Sequence, residues 1–197
     1  KMEGQPVGAY LLITLDSDSE DQLYTLLEQA AELVLDAGAM DVLVADSPAK
    51  MRDAWAARSA FLEVIMEETK LLDECDVVVP VTKIASYLEF VNKTGEECGL
   101  VIRSFGHAGD GNLHIYECSN DLTEEEFKKR VDKFFDLIYK EASAQGGLVS
   151  GEHGIGSGKI QYLVESIGET NMALMEGIKR VFDPKMILNP GKVCYRL

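Results

Sequence analysis

Two of the chain's three histidines flank an Asp-Gly pair in the segment GHAGDGNLHIY, residues 106–116. An Asp-Gly pair between apolar runs is typical of a β-hairpin with a two-residue turn. With Asp110 and Gly111 in that turn, His107 faces His114 across the two strands, where opposed Cβ atoms are about 4.5–5.5 Å apart. Two imidazoles at this separation can bind one cation. The alternative is a tight turn whose histidines only occupy a solvent-exposed strand face.

The third histidine, His153, follows Glu152 in the glycine-rich segment SGEHGIGSGK, residues 150–159. Glycine is unfavourable inside helices and strands, so this segment is predicted to be a loop that turns or approaches a ligand closely. Two imidazoles and one carboxylate form a common open metal site, which leaves coordination positions for a substrate. Because neighbouring side chains point apart, we predict Glu152 as a ligand with His107 and His114, and His153 as a proton acceptor. Alternatively, Glu152 and His153 only cap a turn.

Arg58 is predicted on the apolar side of a helix, since it lies at helical spacing from Ala54, Trp55, Phe61 and Leu62. A charge in such a place requires an anionic partner, because burial of an unpaired charge is very costly. The partner is either one of the chain's 34 acidic residues or a substrate carboxylate, which the forked guanidinium can bind through two hydrogen bonds. Trp55 is expected in the core.

The composition excludes several classes of function. A formal net charge of −15 argues against nucleic acid or anionic lipid as a partner. No apolar run reaches the ~18 residues of a membrane-spanning helix. The four cysteines are scattered without a C-x-x-C pair, so a reducing cytoplasm is the expected location. The sequence GIGSGK, residues 154–159, matches neither the dinucleotide-binding glycine motif nor a P-loop.

The elements that must position these residues alternate between strands and helices. Apolar runs predict four strands, at 8–16, 41–46, 75–81 and 99–105. Helical periodicity and two capping boxes, Ser19 with Gln22 and Thr123 with Glu126, predict helices over 19–38, 50–72, 83–97 and from 123 onward. One or two shorter helices follow the loop at 144–159, and an extended tail covers 182–193. This order predicts a single α+β domain over 1–197, and the hairpin makes its sheet at least partly antiparallel.

Five sequence blocks occur in one order along nearly the whole chain: W-x-x-R at Trp55 and Arg58, DVVVP at 76–80, GHAGDGNLH at 106–114, GEHGIGSGK at 151–159 and DPKMILNPGK at 183–192. By these blocks the chain resembles the C-terminal substrate (cap) domain of FAD-linked oxidases of the vanillyl-alcohol-oxidase superfamily. The most similar branch is that of the D-2-hydroxyacid dehydrogenases, which includes cytochrome-type D-lactate dehydrogenases and glycolate oxidase flavin subunits. The resemblance implies a ferredoxin-like, largely antiparallel sheet with helices packed on one face.

The resemblance also implies roles for individual residues. The two hairpin histidines, His107 and His114, would bind a divalent zinc, manganese or iron ion together with Glu152. His153 would be the catalytic base, and Arg58 would hold the carboxylate of the substrate as part of the catalytic site. Two further residues would contact substrate or flavin, namely Asn112 and Lys192.

The activity that the resemblance implies is oxidation of a small 2-hydroxy acid to the 2-oxo acid, with hydride transfer to FAD. The flavin would be bound mainly by an N-terminal domain that this sequence lacks. The sequence begins with Lys1 rather than Met, so we expect a piece of a longer protein or one half of a split protein, inactive without the flavin domain. Electrons would pass on to a further acceptor, which is either a quinone or a partner protein such as a cytochrome, an iron–sulfur subunit or an electron-transfer flavoprotein. The expected location is the cytoplasm, with peripheral contact to the inner face of the membrane.

The hydroxyglutarate-oxidising members of the branch are expected to carry a lysine just before the D-x-x-x-P strand. Here Glu74 and Cys75 precede Asp76, which favours a monocarboxylate such as lactate or glycolate over a dicarboxylate. The alternative function is a stand-alone metal or small-carboxylate binding module without redox activity. An alkyl-transferring relative in the same superfamily would carry a run of consecutive histidines, which is absent from this sequence.

Overall fold

The computed structural model describes residues 8–194, which divide after Ser59 into two compact units. The helices of the first unit are α1 (Glu20–Asp36) and α2 (Pro48–Ser59). The predicted N-cap of α1 is confirmed, because the Ser19 side chain accepts a hydrogen bond from the Gln22 N–H at 3.5 Å. The other half of the capping box is wrong, since the Ser19 N–H donates to the Ser17 hydroxyl and not to Gln22. Gly38, with a φ of 97°, follows the end of this helix as predicted.

The strands predicted at 8–16 and 41–46 are wrong, because neither segment forms regular structure. A strand needs a neighbour that completes its backbone hydrogen bonds. No strand in the described part of the chain pairs with either segment. Their apolar side chains are exposed as well, to 67% at Leu11 and 90% at Leu43. An apolar run alone therefore does not make a strand, because these two segments have no partner strand in the described part of the chain.

The second unit is built on a three-stranded sheet in the order β1-β3-β2, with both pairings antiparallel. Its strands are β1 (Leu71–Val78), β2 (Val101–His107) and β3 (Asn112–Ser119). Its helices are α3 (Phe61–Glu68), α4 (Ile84–Cys98), α5 (Glu124–Ala144) and α6 (Ile160–Phe182), with a 3₁₀ turn at Val81–Lys83. Because β3 lies between β1 and β2, β1-α4-β2 is a split β-α-β unit of the ferredoxin-like kind. The α+β class and the antiparallel sheet are confirmed.

The single helix predicted over 50–72 is wrong in two respects. It is interrupted between Ser59 and Phe61, and its last residues form β1 from Leu71 onward. Leu71 lies opposite Ser119 in the pairing of β1 with β3. Hydrogen bonding to a neighbouring strand thus outweighs helical periodicity, which is a local and weak preference.

The main core lies between one face of the sheet and helices α4 and α5. Successive side chains of a strand point to opposite faces, and on this face Val77 and Ile115 are fully buried. From α4, Tyr87 is also fully buried, and its hydroxyl donates a hydrogen bond to the Ile138 carbonyl oxygen of α5 at 2.9 Å. Each fully buried apolar side chain of this size stabilises the fold by about 1.5–3 kcal/mol. This core holds the three strands rigidly in register.

The opposite face of the sheet has an apolar end and a polar end. At the apolar end, Ile65 of α3 packs with Tyr116 and Cys118 of β3. At the polar end, next to the hairpin between β2 and β3, the paired residues on this face include Asp76 and His114. The candidate site lies at this polar end.

The extended tail predicted at 182–193 is wrong, since the residues after α6 form turns. Asp183 closes the end of α6, and its carboxylate accepts the N–H groups of Ile187 at 3.1 Å and Leu188 at 2.9 Å. α6 itself is kinked at Gly168, which has a φ of 77°; this agrees with the prediction of one or two helices. None of the helices in the described part of the chain combines the length and the apolar character needed to span a bilayer.

Candidate active site

The hairpin that carries two of the histidines has a four-residue loop, residues 108–111, instead of the predicted two-residue turn. His107 pairs with Asn112, and His114 pairs with Phe105. The predicted direct pairing of the two histidines is therefore wrong by two positions. Because the side-chain period of a strand is two residues, this shift leaves both imidazoles on the same face. Their ring centroids lie 5.8 Å apart as diagonal neighbours.

The longer loop follows from a contact between the hairpin and the end of β1. The Val79 N–H donates a hydrogen bond to the Gly111 carbonyl oxygen at 3.0 Å. Gly111 has a φ of 73°, and a Cβ at this position would collide with the Val79 carbonyl oxygen. The Asp110 N–H closes the loop onto the His107 carbonyl oxygen at 3.0 Å. Glycine is required at position 111 for both its conformation and its close approach to β1.

Glu152 brings its carboxylate to the two hairpin histidines. Its Oε1 lies 2.9 Å from His114 Nε2 and 3.5 Å from His107 Nε2. One ligand atom from each of the three residues lies within 4.8 Å of the other two. The His114 side chain is 5% exposed, whereas those of His107 and Glu152 are 41% and 50% exposed. Two imidazole nitrogens and a carboxylate oxygen on an open-sided site fit a divalent cation such as zinc.

Asp76 of β1 fixes the loop that carries Glu152 and His153. Its Oδ2 accepts four hydrogen bonds of 2.8–2.9 Å, from the Ser150 hydroxyl and from the N–H groups of Gly151, Glu152 and His153. Burial alone would raise the pKa of Asp76, but these hydrogen bonds lower the pKa below its ordinary value. The ionised, fully buried carboxylate therefore ties the loop to the sheet.

His153 stacks on His114 and contacts a second carboxylate. The two imidazole rings are 4.6 Å apart and inclined by 16°. His153 Nδ1 lies 2.8 Å from Glu74 Oε1, and its Nε2 lies 4.0 Å from Glu152 Oε1. The Tyr116 hydroxyl donates a hydrogen bond to the same Glu74 oxygen at 3.3 Å. The nearest carboxylate is therefore Glu152 for His114 and Glu74 for His153, although His114 Nδ1 also lies 3.8 Å from Glu74 Oε1.

Two further predicted site residues, Asn112 and Lys192, lie on β3 and in the C-terminal tail. Asn112 is 6% exposed on the same face as His114, and its Oδ1 is buried without a hydrogen-bond partner among the described residues. Lys192 is exposed and precedes Val193, whose N–H donates to the Gly156 carbonyl oxygen at 2.7 Å. The tail with Lys192 is thereby joined to the glycine-rich loop.

Arg58 belongs to the first unit, at the end of α2, whereas the histidines belong to the second unit. It is partly buried, and its role as a carboxylate contact stays a prediction. The expectation that Trp55 lies in the core is wrong, because Trp55 is 51% exposed. Its helix α2 has no buried residue, so the apolar stripe inferred from spacing does not face a core in the described residues.

Asp76 and Glu74 are absent from the predicted site residues, yet both contact the glycine-rich loop. One signal for Asp76 exists in the sequence, since an acid next to the apolar run VVVP in a buried strand needs several hydrogen-bond donors. Glu74 carries no comparable signal. Its contact with His153 joins residues on separate elements, and local spacing contains no information about that pairing.

Residues 1–193 match the family model described as FAD linked oxidases, C-terminal domain. The chain is 59% identical over 197 residues, all of its length, to a D-lactate dehydrogenase of Anaerostipes hadrus, of which it covers 42%. It is 37% identical over 190 residues to a D-lactate dehydrogenase of Archaeoglobus fulgidus, covering 96% of this chain and 40% of that protein. It is 31% identical over 193 residues to glycolate oxidase subunit GlcD of Bacillus subtilis, covering 96% and 40%. The chain thus spans about two fifths of the length of these relatives.

Proposed function

Because the chain belongs to the family of FAD-linked oxidase C-terminal domains, we propose that it forms the substrate-binding part of an FAD-dependent 2-hydroxyacid dehydrogenase. The substrate is a small acid of the D-lactate or glycolate type, which is oxidised to the 2-oxo acid. The observation that carries this proposal is the convergence of His107, His114 and Glu152, with His153 stacked beside them. The names of the relatives, D-lactate dehydrogenase and glycolate oxidase subunit, support it.

His107, His114 and Glu152 would hold the divalent cation, which is zinc, manganese or iron. When bound, the cation supplies a Lewis acid that lowers the pKa of a coordinated hydroxyl group. Burial lowers the pKa of His114, and the neighbouring His153 lowers it further. Both effects favour the neutral imidazole, which is the form that binds a metal ion.

His153 accepts the proton of the substrate hydroxyl. Its side chain is 41% exposed, so a substrate on the open side of the site can reach it. Asn112 is proposed to contact substrate or flavin, and its buried side-chain oxygen has no hydrogen-bond partner among the described residues. Arg58 is proposed to bind the substrate carboxylate, and Lys192 to contact substrate or flavin. FAD, bound mainly by an N-terminal domain, supplies the hydride acceptor.

A monocarboxylate substrate is supported by the charges around the base. Glu74 Oε1 lies 2.8 Å from His153 Nδ1, so a second carboxylate on the substrate would meet a like charge next to the proton acceptor. Two unit charges at 4 Å repel each other by ~4 kcal/mol at the effective dielectric of a protein surface. This charge favours D-lactate or glycolate over a hydroxy dicarboxylate.

The proposed partners are the FAD domain and a protein that takes up the electrons. The proposed location is the cytoplasm, with peripheral contact to the inner face of the membrane. Support for a reducing compartment comes from the four cysteines, which are all buried and free of disulfides.

The test uses the full-length, flavin-loaded protein and measures two quantities on each sample, its bound metal and its anaerobic flavin reduction by D-lactate or glycolate. His107→Ala and His114→Ala are expected to lose the metal and the reduction together. His153→Ala is expected to keep the metal and to reduce flavin ~10²–10⁴-fold more slowly, because it lacks the general base. Chelator-treated wild type is the control for metal loss.

Each unexpected result would contradict a different part of the proposed function. Turnover by the metal-free histidine variants would overturn the metal site, and loss of metal from His153→Ala would exchange the roles of ligand and base. Metal-loaded wild type that binds the acids but does not reduce its flavin with any of them would indicate the binding module instead.

A further inference from the structure

We propose that Glu74 is a positioning residue of this site: supported by Tyr116, it holds the proton of His153 on Nδ1 and leaves Nε2 as the proton-accepting nitrogen. The inference rests on the proposed function, in which His153 is the base. It adds a residue and a tautomer that the family resemblance and the sequence do not assign.

The contact between Glu74 and His153 determines the tautomer. Glu74 Oε1 lies 2.8 Å from His153 Nδ1, which is close enough for a charge-assisted hydrogen bond. An ionised carboxylate offers only acceptors, so the shared proton belongs to Nδ1. A neutral imidazole with its proton on Nδ1 carries its free lone pair on Nε2. That nitrogen lies 4.0 Å from Glu152 Oε1, on the side of the proposed cation site.

Glu74 is well placed to orient His153 because it comes from the rigid sheet. In the pairing of β1 with β3 it lies opposite Tyr116, which is 2% exposed. The Tyr116 hydroxyl donates to Glu74 Oε1 at 3.3 Å, and its ring stacks on Phe105 of β2 at 5.2 Å. Groups held on packed strands are positioned more precisely than groups on loops. The loop residue His153 is therefore fixed twice by β1, at its backbone by Asp76 and at its ring by Glu74.

A second cation between Glu74, His114 and His153 is the main competing explanation. One ligand atom from each of these residues lies within 4.8 Å of the other two. The two imidazole rings are, however, stacked at 4.6 Å with only 16° between their planes. The lone pairs of imidazole lie in the ring plane, and the planes of two stacked, nearly parallel rings do not meet near the rings, so no single ion lies in line with a lone pair of each. A proton on Nδ1 that faces Glu74 is thus the better account of this contact.

The test compares Glu74→Ala and Glu74→Gln in the full-length, flavin-loaded protein with selectively ¹⁵N-labelled histidine. We expect Glu74→Ala to lower kcat by ~10–100-fold, the usual effect of losing such an outer partner, with KM and bound metal unchanged. The His153 ¹⁵N signals should change from the Nδ1–H pattern to a mixture of tautomers. Glu74→Gln keeps a carbonyl acceptor for Nδ1–H, so it should keep the tautomer and lose less activity than Glu74→Ala.

Asp73→Asn is the matched control, because it removes the same charge from the neighbouring residue of β1, which is exposed and points to the other face. It should behave as wild type in kcat, metal content and tautomer. Tyr116→Phe removes only the hydroxyl that supports Glu74 and should lower kcat in the same direction by a smaller factor. This variant serves as the test if Glu74→Ala does not fold.

An unchanged His153 tautomer and an unchanged kcat in Glu74→Ala would overturn the proposal. Loss of one equivalent of metal from Glu74→Ala would also overturn it, in favour of Glu74 as a ligand. The histidine signals do not depend on turnover. A protein that shows the Nδ1–H tautomer but oxidises no hydroxy acid would therefore refute the proposed function and leave the Glu74–His153 contact established.

Discussion

The pKa is lowered for two buried acids of this protein and raised for a third, and their hydrogen bonds explain the difference. Asp76 and Asp183 each accept backbone N–H groups, and the pKa of each is lowered. Glu117 lies on the core face of β3, fully buried, and neither carboxylate oxygen has a hydrogen-bond partner among the described residues. Burial raises the pKa of Glu117 well above its ordinary value, and the charge of Asp73 raises it further. Hydrogen bonding therefore favours the ionised form of the two aspartates, whereas burial favours the neutral form of Glu117.

Asp183 leads to a prediction about stability against acid. Hydrogen bonds from the Leu188 and Ile187 N–H groups and from Lys179 lower the pKa of Asp183 in the folded protein. Its stabilisation is therefore fully present above the ordinary aspartate pKa of ~3.9 and is lost as the pH falls through the lower, folded-state value. We expect Asp183→Asn to be less stable than wild type at pH 7 and to lose less stability between about pH 5 and pH 2.

The measurement for Asp183→Asn is the urea midpoint of unfolding across this pH range. Asp121→Asn, which removes the same charge from an exposed residue after β3, is the control and should follow wild type. Parallel pH profiles for Asp183→Asn and wild type would contradict the prediction.

At the scale of elements, the site depends on a loop that lies directly on the sheet. Residues 150–153 are hydrogen-bonded to Asp76 of β1 and pass over Asn112 at the start of β3. A Cβ at Gly151 would lie 2.6 Å from Asn112 Cγ and 2.8 Å from Val78 Cγ2. Only glycine allows the loop to come this close, and the position of Glu152 depends on that approach.

Gly151→Ala is therefore expected to displace the loop. Overpacking of this kind costs about 1–3 kcal/mol in the free energy of unfolding, and metal affinity should fall ~10–100-fold because Glu152 moves. Gly158→Ala is the matched control, since a Cβ at Gly158 would meet nothing within 4 Å. Urea unfolding and chelator competition measure the two effects. Wild-type metal affinity in Gly151→Ala would refute the coupling between loop position and metal binding.

At the scale of the whole second unit, one sheet serves two purposes on its two faces. The face under α4 and α5 forms the main core, and the opposite face carries α3 at one end and the site at the other. The proposed ligands come from β2, from β3 and from the loop after α5. A cation bound by all three would join segments that are 45 residues apart between His107 and Glu152, so it should stabilise the unit against unfolding.

A ligand that binds only the folded state at ~100 times its Kd stabilises that state by ~2.7 kcal/mol. We therefore expect removal of the metal by a chelator to lower the Tm of the full-length protein by several degrees. His114→Ala should unfold at the same temperature with and without chelator. Equal Tm values for metal-loaded and metal-stripped wild type would show that the cation does not link these segments.

Much of the site is predictable from the sequence because its signals are local. Ser19 and Thr123 are predicted as N-caps from the few residues around each helix start, and both side chains accept a hydrogen bond there. The hairpin around Asp110 and the loop at Glu152 follow from glycine content and turn chemistry over about ten residues. Even the wrong hairpin register preserves the shared face of the histidines, because a shift of two residues equals the strand period.

What the sequence by itself determined was therefore the helix N-caps, the α+β class, and the two histidines and the carboxylate whose side chains the structure brings together. Only the tertiary structure decided that Asp76 holds the glycine-rich loop and that Glu74 faces His153. Asp76 and His153 are 77 residues apart in the sequence. The tertiary structure also decided that the apolar runs at 8–16 and 41–46 are not strands. The physical reason is common to all three. Capping and periodicity are properties of neighbouring residues, whereas hydrogen-bond partners between distant segments exist only once the chain has packed.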